Sequence, residues 1–230
     1  MRGWLVYHPR RVSRVIDGHR IHFDSTEHNQ DPYIWNDRFL HSYCHITQMA
    51  PDVEDIEFWT TGDSFPNFTA LYCDLVLVVE EKSYWLDANN MPPSDPIVDS
   101  EAAYADHYSW AEDHPFQRRK RFTLKANRSQ SFQPQDADSE LVDIVPGLVQ
   151  IGLAPEVVAR GIQSGYAAKP MQLGQEHAAG LYDWIKRKSP VKLTGPQLSA
   201  IRSRHSELSS RQSAERFMER KRCCESNHPK

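Results

Sequence analysis

Apolar residues in the first 130 positions fall in short runs or alternate with polar ones, whereas later they recur at helical spacing. Trp4 to Tyr7 and Arg20 to Phe23 predict two short strands in a stretch otherwise rich in His, Arg and Asp. The runs 39–47, 55–60 and 71–79 read as further strands, because β-branched and aromatic residues dominate them. Ala50-Pro51-Asp52 and Thr61-Gly62-Asp63 supply the turns between them. Pro92-Pro93-Ser94-Asp95-Pro96 reads as a linker. Asp99 or Ser100 can then cap a helix to about residue 113, with Glu101 in its first turn and Pro115 beyond its end. A strand is expected at 121–126.

Beyond Gln133-Pro134-Gln135-Asp136 the period changes to that of helices. Leu141, Ile144, Val145, Leu148 and Val149 form a stripe over 139–150, with Pro146 inside it. Helices follow at 154–164, opened by Pro155, at 175–188 with the face Leu181, Trp184 and Ile185, and from Thr194 to about His205. The expected fold is α+β. A β-rich, antiparallel domain over 1–135 with one inserted helix (about 100–113) precedes a helical region, 136–208, and a mobile basic tail, 209–230.

Composition narrows the class. With 230 residues and 39% hydrophobic content a sizeable core is possible. An aromatic share of 10% argues against global disorder. Cys44 and Cys73 sit among apolar neighbours and read as buried thiols; Cys223 and Cys224 lie in a polar stretch. No spacing points to disulfides, so a reducing compartment is expected. The N-terminus lacks a secretory pattern and no apolar run approaches the ~20 residues of a membrane helix, so a cytoplasmic protein with no membrane partner is expected.

The formal charge of −4 hides an uneven layout. Residues 83–117 hold seven acids and no Lys or Arg, and Arg118-Arg119-Lys120-Arg121 follows at once, with Lys125 behind it. From Val191 onward nine basic and four acidic residues give a local +5, leaving −9 elsewhere. The basic strand either contacts phosphate or pairs with the acidic stretch before it. Arg202, Arg204, Arg211, Arg216, Arg220, Lys221 and Arg222 could extend a phosphate footprint or keep the tail solvated.

The stretch His41-Ser42-Tyr43-Cys44-His45 poses a choice. As a helix it would put His41 and His45 on one face, with Asp37 a turn earlier, a start for zinc. As a strand it separates the two imidazoles by roughly 13 Å and turns Cys44 away from both. The composition favours the strand, with Leu40, Cys44 and Ile46 toward the core. Phe39, His41, Tyr43 and His45 then line the other face, which is either merely covered or the wall of a cleft. Aromatic and imidazole groups there suit stacking on a base and reading its edge.

Cys44-His45-Ile46-Thr47, the run from Pro51 to Trp59 and the run from Leu71 to Val79 together resemble PUA-like and ASCH-like domains, and the nucleotide-modification-associated domains of related architecture. The resemblance covers about residues 39–90. Glu54 stands where those families usually carry Gly. It implies a small β-barrel that binds RNA, or modified bases in nucleic acid. On that basis His41, Tyr43, His45, Trp59, Phe65 and Trp85 are the candidate base-binding groups and Arg118, Arg119, Lys120, Arg121 and Lys125 the candidate phosphate contacts. The expected partner is DNA or RNA, with no cofactor.

Two alternatives remain. Asp74, Glu80 and Lys82 contain an acid followed by E-x-K, the elements of a Mg²⁺-dependent nuclease, although Asp74 and Glu80 would lie about 20 Å apart on one strand. His107 and His114, two helical turns apart, could form half of a metal site, or belong to a solvated acidic helix. The chain could also be a subunit of a larger complex, with its helical half as the docking surface for a protein partner. No P-loop, GxGxxG, GxSxG or HExxH is present.

Overall fold

The computed structural model describes residues 1–7, 11–24, 32–42, 49–62, 68–84, 122–162 and 170–205. Its strands are β1 (Gly3–Tyr7), β2 (Arg11–Ile16), β3 (His19–Asp24), β4 (His41–Ser42), β5 (Ile56–Gly62), β6 (Leu71–Tyr84), β7 (Phe122–Ala126), β8 (Gln133–Gln135), β9 (Val142–Asp143), β10 (Met171–Leu173) and β11 (Val191–Leu193). The helices are α1 (Val145–Gln150), α2 (Pro155–Gly161), α3 (Gln175–Lys188) and α4 (Gly195–Arg204). The chain is therefore mixed α+β. The helix expected at about 100–113 lies outside the described residues, as does most of the strand expected at 39–47.

The main sheet runs β10-β1-β5-β6-β7-β4, with β9 also paired to β6. All of its pairs are antiparallel except β1 with β5. This path is open among the described residues; no closed barrel is formed by backbone pairing. Both faces of the sheet are covered, which explains the almost continuous apolar run of β6. One face presents Trp4, Val6, Trp59, Leu75, Leu77 and Val79 to the β2–β3 hairpin, to residues 33–40 and to α4. The other presents Leu5, Phe58, Cys73, Val76 and Val78 to α1, α2 and α3. Helix α3 lies so close to β1 that a Cβ on Gly3 would meet the Ala178 Cβ at 2.8 Å.

β6 is 14 residues long and carries two bulges. Against β5, Trp59 pairs with Leu75 and Thr60 with Cys73, leaving Asp74 without a counterpart. Against β7, Val79 pairs with Ala126 and Glu81 with Lys125, leaving Glu80 as the extra residue. Each bulge bends the strand and increases its twist. The first also changes the parity of inward positions, so that Leu71 and Cys73 share a face with Val76 and Val78.

Several elements differ from the periodic reading. Residues 11–16 form a strand that closes a two-residue hairpin through Asp17 and Gly18, at φ of +51° and +78°. The Asp-Gly pair is the signal for such a turn. The helix expected from 139 begins only at Val145, because Val142 and Asp143 pair with β6. The Asp143 carboxylate then accepts the N–H groups of Leu71 and Val145, both at 3.1 Å, and Pro146 takes a place in the first turn. The Gln-Pro-Gln segment, where the period changes, forms β8. Buried Gln133 donates to the carbonyls of His22 and Asp74, and so fastens the hairpin to the first bulge. The C-terminal part also contributes β10 to the main sheet, so sheet and helices share one core.

The turn entering β5 carries two constraints. Asp55 N–H donates to Asp52 O at 3.0 Å, and Glu54 N–H reaches Val79 O at 2.8 Å. Glu54 has a φ of +71°, in the left-handed region that favours glycine, and its side chain is exposed. Arg2 closes the other side, with Nε and Nη2 at 3.0 and 2.7 Å from Asp55 Oδ2 and its own N–H 2.6 Å from Oδ1.

Replacing Glu54 with Gly relieves the left-handed strain and should raise stability by about 0.5–1 kcal/mol. The check is a higher urea midpoint at unchanged slope; a lower midpoint would show that the turn is not strained. A second expectation concerns acid. Burial raises the pKa of Asp55, but hydrogen bonds from the Arg2 side chain and from the N–H groups of Asp52 and Arg2 outweigh it, so the carboxyl titrates below its ordinary value. Its stabilisation is complete above the unfolded carboxyl pKa of about 3.9 and is lost as pH falls through the folded value. Arg2→Ala should therefore lower stability at pH 7 and flatten its decline below about pH 4. Parallel wild-type and variant profiles would remove the Arg2–Asp55 contact from the account.

Candidate functional site

β4 contributes His41, and β5 contributes Glu57 and Trp59 on the face opposite the helix trio. Glu57 and Trp59 share that face because they are two positions apart in a strand. His41 Nδ1 lies 2.8 Å from Glu57 Oε2, and Trp59 Nε1 donates to the same oxygen at 3.0 Å. The imidazole meets the Trp59 ring edge-on, with centroids 4.7 Å apart and planes at 82°. His41 is 1% and Glu57 0% exposed.

The contact is informative because of where its partners lie in the sheet. Three strand-to-strand steps separate β4 from β5 through β7 and β6. In a flat sheet that would place them about 14 Å apart. A 2.8 Å hydrogen bond between their side chains requires the sheet to curl so that β4 comes back over β5. The bulges at Asp74 and Glu80 supply bends on the strand between them.

The group is only half satisfied. Glu57 Oε1 is buried and has no hydrogen-bond partner among the described residues, and neither have the indole N–H groups of Trp4 and Trp35, from the same cluster. A buried polar atom left in this way costs about 1–3 kcal/mol. Such atoms are rare in native proteins.

The base-binding expectation named His41 and Trp59, and the structure brings these two together in a buried group. Tyr43, His45, Phe65 and Trp85 lie outside the described residues, as do Arg118, Arg119, Lys120 and Arg121, and the pair His107 and His114. Lys125 is placed 3.2 Å from Glu81, largely covered. Asp74, Glu80 and Lys82 are not brought together. Asp74 is buried at the first bulge, whereas Glu80 pairs with Arg38 at 2.6 Å. Lys82 points at Asp52 and lies over the Phe122 ring, 4.5 Å from its centroid. The expectation that Cys73 is a buried thiol holds: burial first, then the charge of Asp74, pushes its pKa well up, which makes it a poor nucleophile. Among the described residues no three His, Cys, Asp or Glu side chains could hold a metal ion. No helix there is long and apolar enough to cross a membrane.

Glu57 was absent from the sequence-derived candidates. Its signal was available: a single acid in Ile56-Glu57-Phe58-Trp59, at an inward position of a strand whose other inward positions are apolar. What sequence could not supply was its partner, which comes from a strand three places away.

Removing one member of a buried pair leaves the other uncompensated. His41→Leu should cost about 3–5 kcal/mol, whereas the double variant His41→Leu/Glu57→Leu should be less destabilised than the sum of the two single changes. A double-mutant cycle in urea measures this, and simple additivity would show that the two side chains are not coupled.

No family model matches this sequence, and neither a curated protein nor a solved structure is similar enough to match it.

Proposed function

We propose that the chain is a nucleic-acid- or nucleotide-binding module that recognises a base at the His41–Glu57–Trp59 group. The observation that carries this reading is the buried Glu57 oxygen, unpartnered among the described residues, in a carboxylate that bonds the His41 and Trp59 rings. A carboxylate oxygen accepts from an amino or ring N–H on the edge of a base, while aromatic rings offer stacking surfaces. Two further observations support an architecture of the PUA-like kind. The sheet curls until side chains of β4 and β5 meet, and Glu54 takes up the left-handed backbone conformation at the position where those families usually carry Gly.

The test separates base recognition from backbone attraction by using free nucleosides, which carry no phosphate. Titrating adenosine, cytidine, guanosine and uridine against the protein by calorimetry should reveal binding of at least one. Glu57→Gln keeps an oxygen for His41 and Trp59 but can replace the free acceptor with a donor. It should weaken that binding about 10-fold or more, the value of one charge-assisted hydrogen bond. Absence of nucleoside binding, or equal affinity in a folded Gln variant, would sink the reading.

A further inference from the structure

We propose that the β2–β3 hairpin is a lid over the His41–Glu57–Trp59 group, and that a ligand reaches the group when the hairpin swings out. The inference rests on the base-recognition reading and adds its route of entry. A group in which His41 is 1% and Glu57 0% exposed admits a ligand only if an element above it moves. Three described elements lie on that face: the hairpin, residues 33–40 and α4. The last two are locked together, since a Cβ on Gly195, at the start of α4, would run into the Asp37 carbonyl. Residues 33–40 are in turn tied to β7, whose Ala126 N–H donates to Arg38 O at 2.7 Å, and they run directly into β4.

The hairpin is attached differently. Its two strands form a sheet of their own, and among the described residues their backbone pairs with no other strand. Side chains meet the edge of β3 instead. Gln133 Oε1 accepts the His22 N–H at 2.9 Å, Gln133 Nε2 donates to His22 O at 2.7 Å, and Gln135 Nε2 donates to Arg20 O. The two glutamines face the same way because they are two positions apart on β8, whose backbone is already paired with β11. Two weaker contacts lie beside this seam, Arg20 with Glu140 at 3.3 Å and the His22 ring with Ser139 O at 3.4 Å. Such a seam parts by rotation of side chains and leaves the ladders of both sheets intact. At the other end the turn residue Asp17 is clasped by Arg204 Nε and Nη2, at 2.9 and 2.6 Å, and by His205 Nε2 at 2.7 Å. All three side chains are partly exposed, so water competes for the clasp. Beneath the hairpin, Ile16, Ile21 and Phe23 join the core, with the Phe23 ring 5.7 Å from that of Trp35. Trp35 shares one cluster with Trp4 and Trp59, so lifting the hairpin uncovers the indoles around Glu57.

Native-state hydrogen exchange of the full chain tests the lid, with peptides read by mass spectrometry and indole N–H signals by NMR. It uses no ligand. Amides of β2 and β3 should exchange at least ~10-fold faster than those of β5 and β6, through a sub-global opening. The indole N–H groups of Trp35 and Trp59 should exchange with the hairpin rather than with β5. Asp17→Asn keeps a residue that tolerates the left-handed backbone but removes the charge that holds Arg204 and His205. It should speed hairpin and indole exchange about 3-fold, the value of an exposed ion pair, and leave β5 and β6 unchanged. A nucleoside that binds the wild type should associate with this variant faster by the same factor. Hairpin amides as protected as those of β5, or indoles that stay protected while the hairpin opens, overturn the proposal. So does an association rate that Asp17→Asn leaves unchanged. Absence of nucleoside binding sinks the base reading alone, because exchange still decides whether the hairpin opens over Glu57.

Discussion

The curvature of the sheet depends on one hydrogen bond between strands that are not neighbours. His41 on β4 and Glu57 on β5 meet at 2.8 Å although two strands intervene. Burying a carboxylate demands partners, and the partners available are an imidazole and an indole N–H. Satisfying one of its oxygens forces the far edge of the sheet inward over Trp59. Everything on that face then has to fit inside the curl: the β2–β3 hairpin, the aromatic residues Tyr33, Trp35 and Phe39, and the apolar face of α4. The result is a core with a polar centre.

The bulges make the curl possible, and they reinterpret two residues. Asp74 and Glu80 look in the sequence like acids spaced for chemistry. In the fold both are extra residues in β6, one buried where Gln133 fastens the hairpin, one exposed against Arg38. A polar residue is well suited to a bulge because the interrupted ladder leaves backbone and side chain to find other partners. The charge of these residues thus records the mechanics of a long strand.

Elements whose period repeats several times were readable from sequence. The strand at Trp4, the run from Leu71 and the helix 175–188 all appear where their patterns put them, since each has enough turns or alternations for the pattern to declare itself. Three-residue strands such as β8, β10 and β11 contain too few positions to show a period, and their existence is decided by the partner strand. The stretch 139–144 misled because Leu141 and Ile144 fit a helical stripe, while Asp143 held the segment to β6 instead. In the candidate site His41 and Trp59 stood out as side chains suited to a base. Glu57 did not, because an acid in a strand usually faces water, and only the curl of the sheet turns this one inward.

The place of β1 has a consequence for how the chain reaches this state. Residues 3–7 pair on one side with β5 and on the other with β10, so Gly3 waits for Leu173. Such pairing over most of the chain's length gives a high contact order, and folding of this kind is slow. During synthesis Gly3-Trp4-Leu5-Val6-Tyr7 is made well before Leu173 and waits for its cover on the β10 side. Until then an apolar strand presents an open edge to its neighbours, the situation in which chains join edge to edge. Expression at low temperature or alongside a chaperone, which shelters that edge, is therefore a matter of topology as much as of stability.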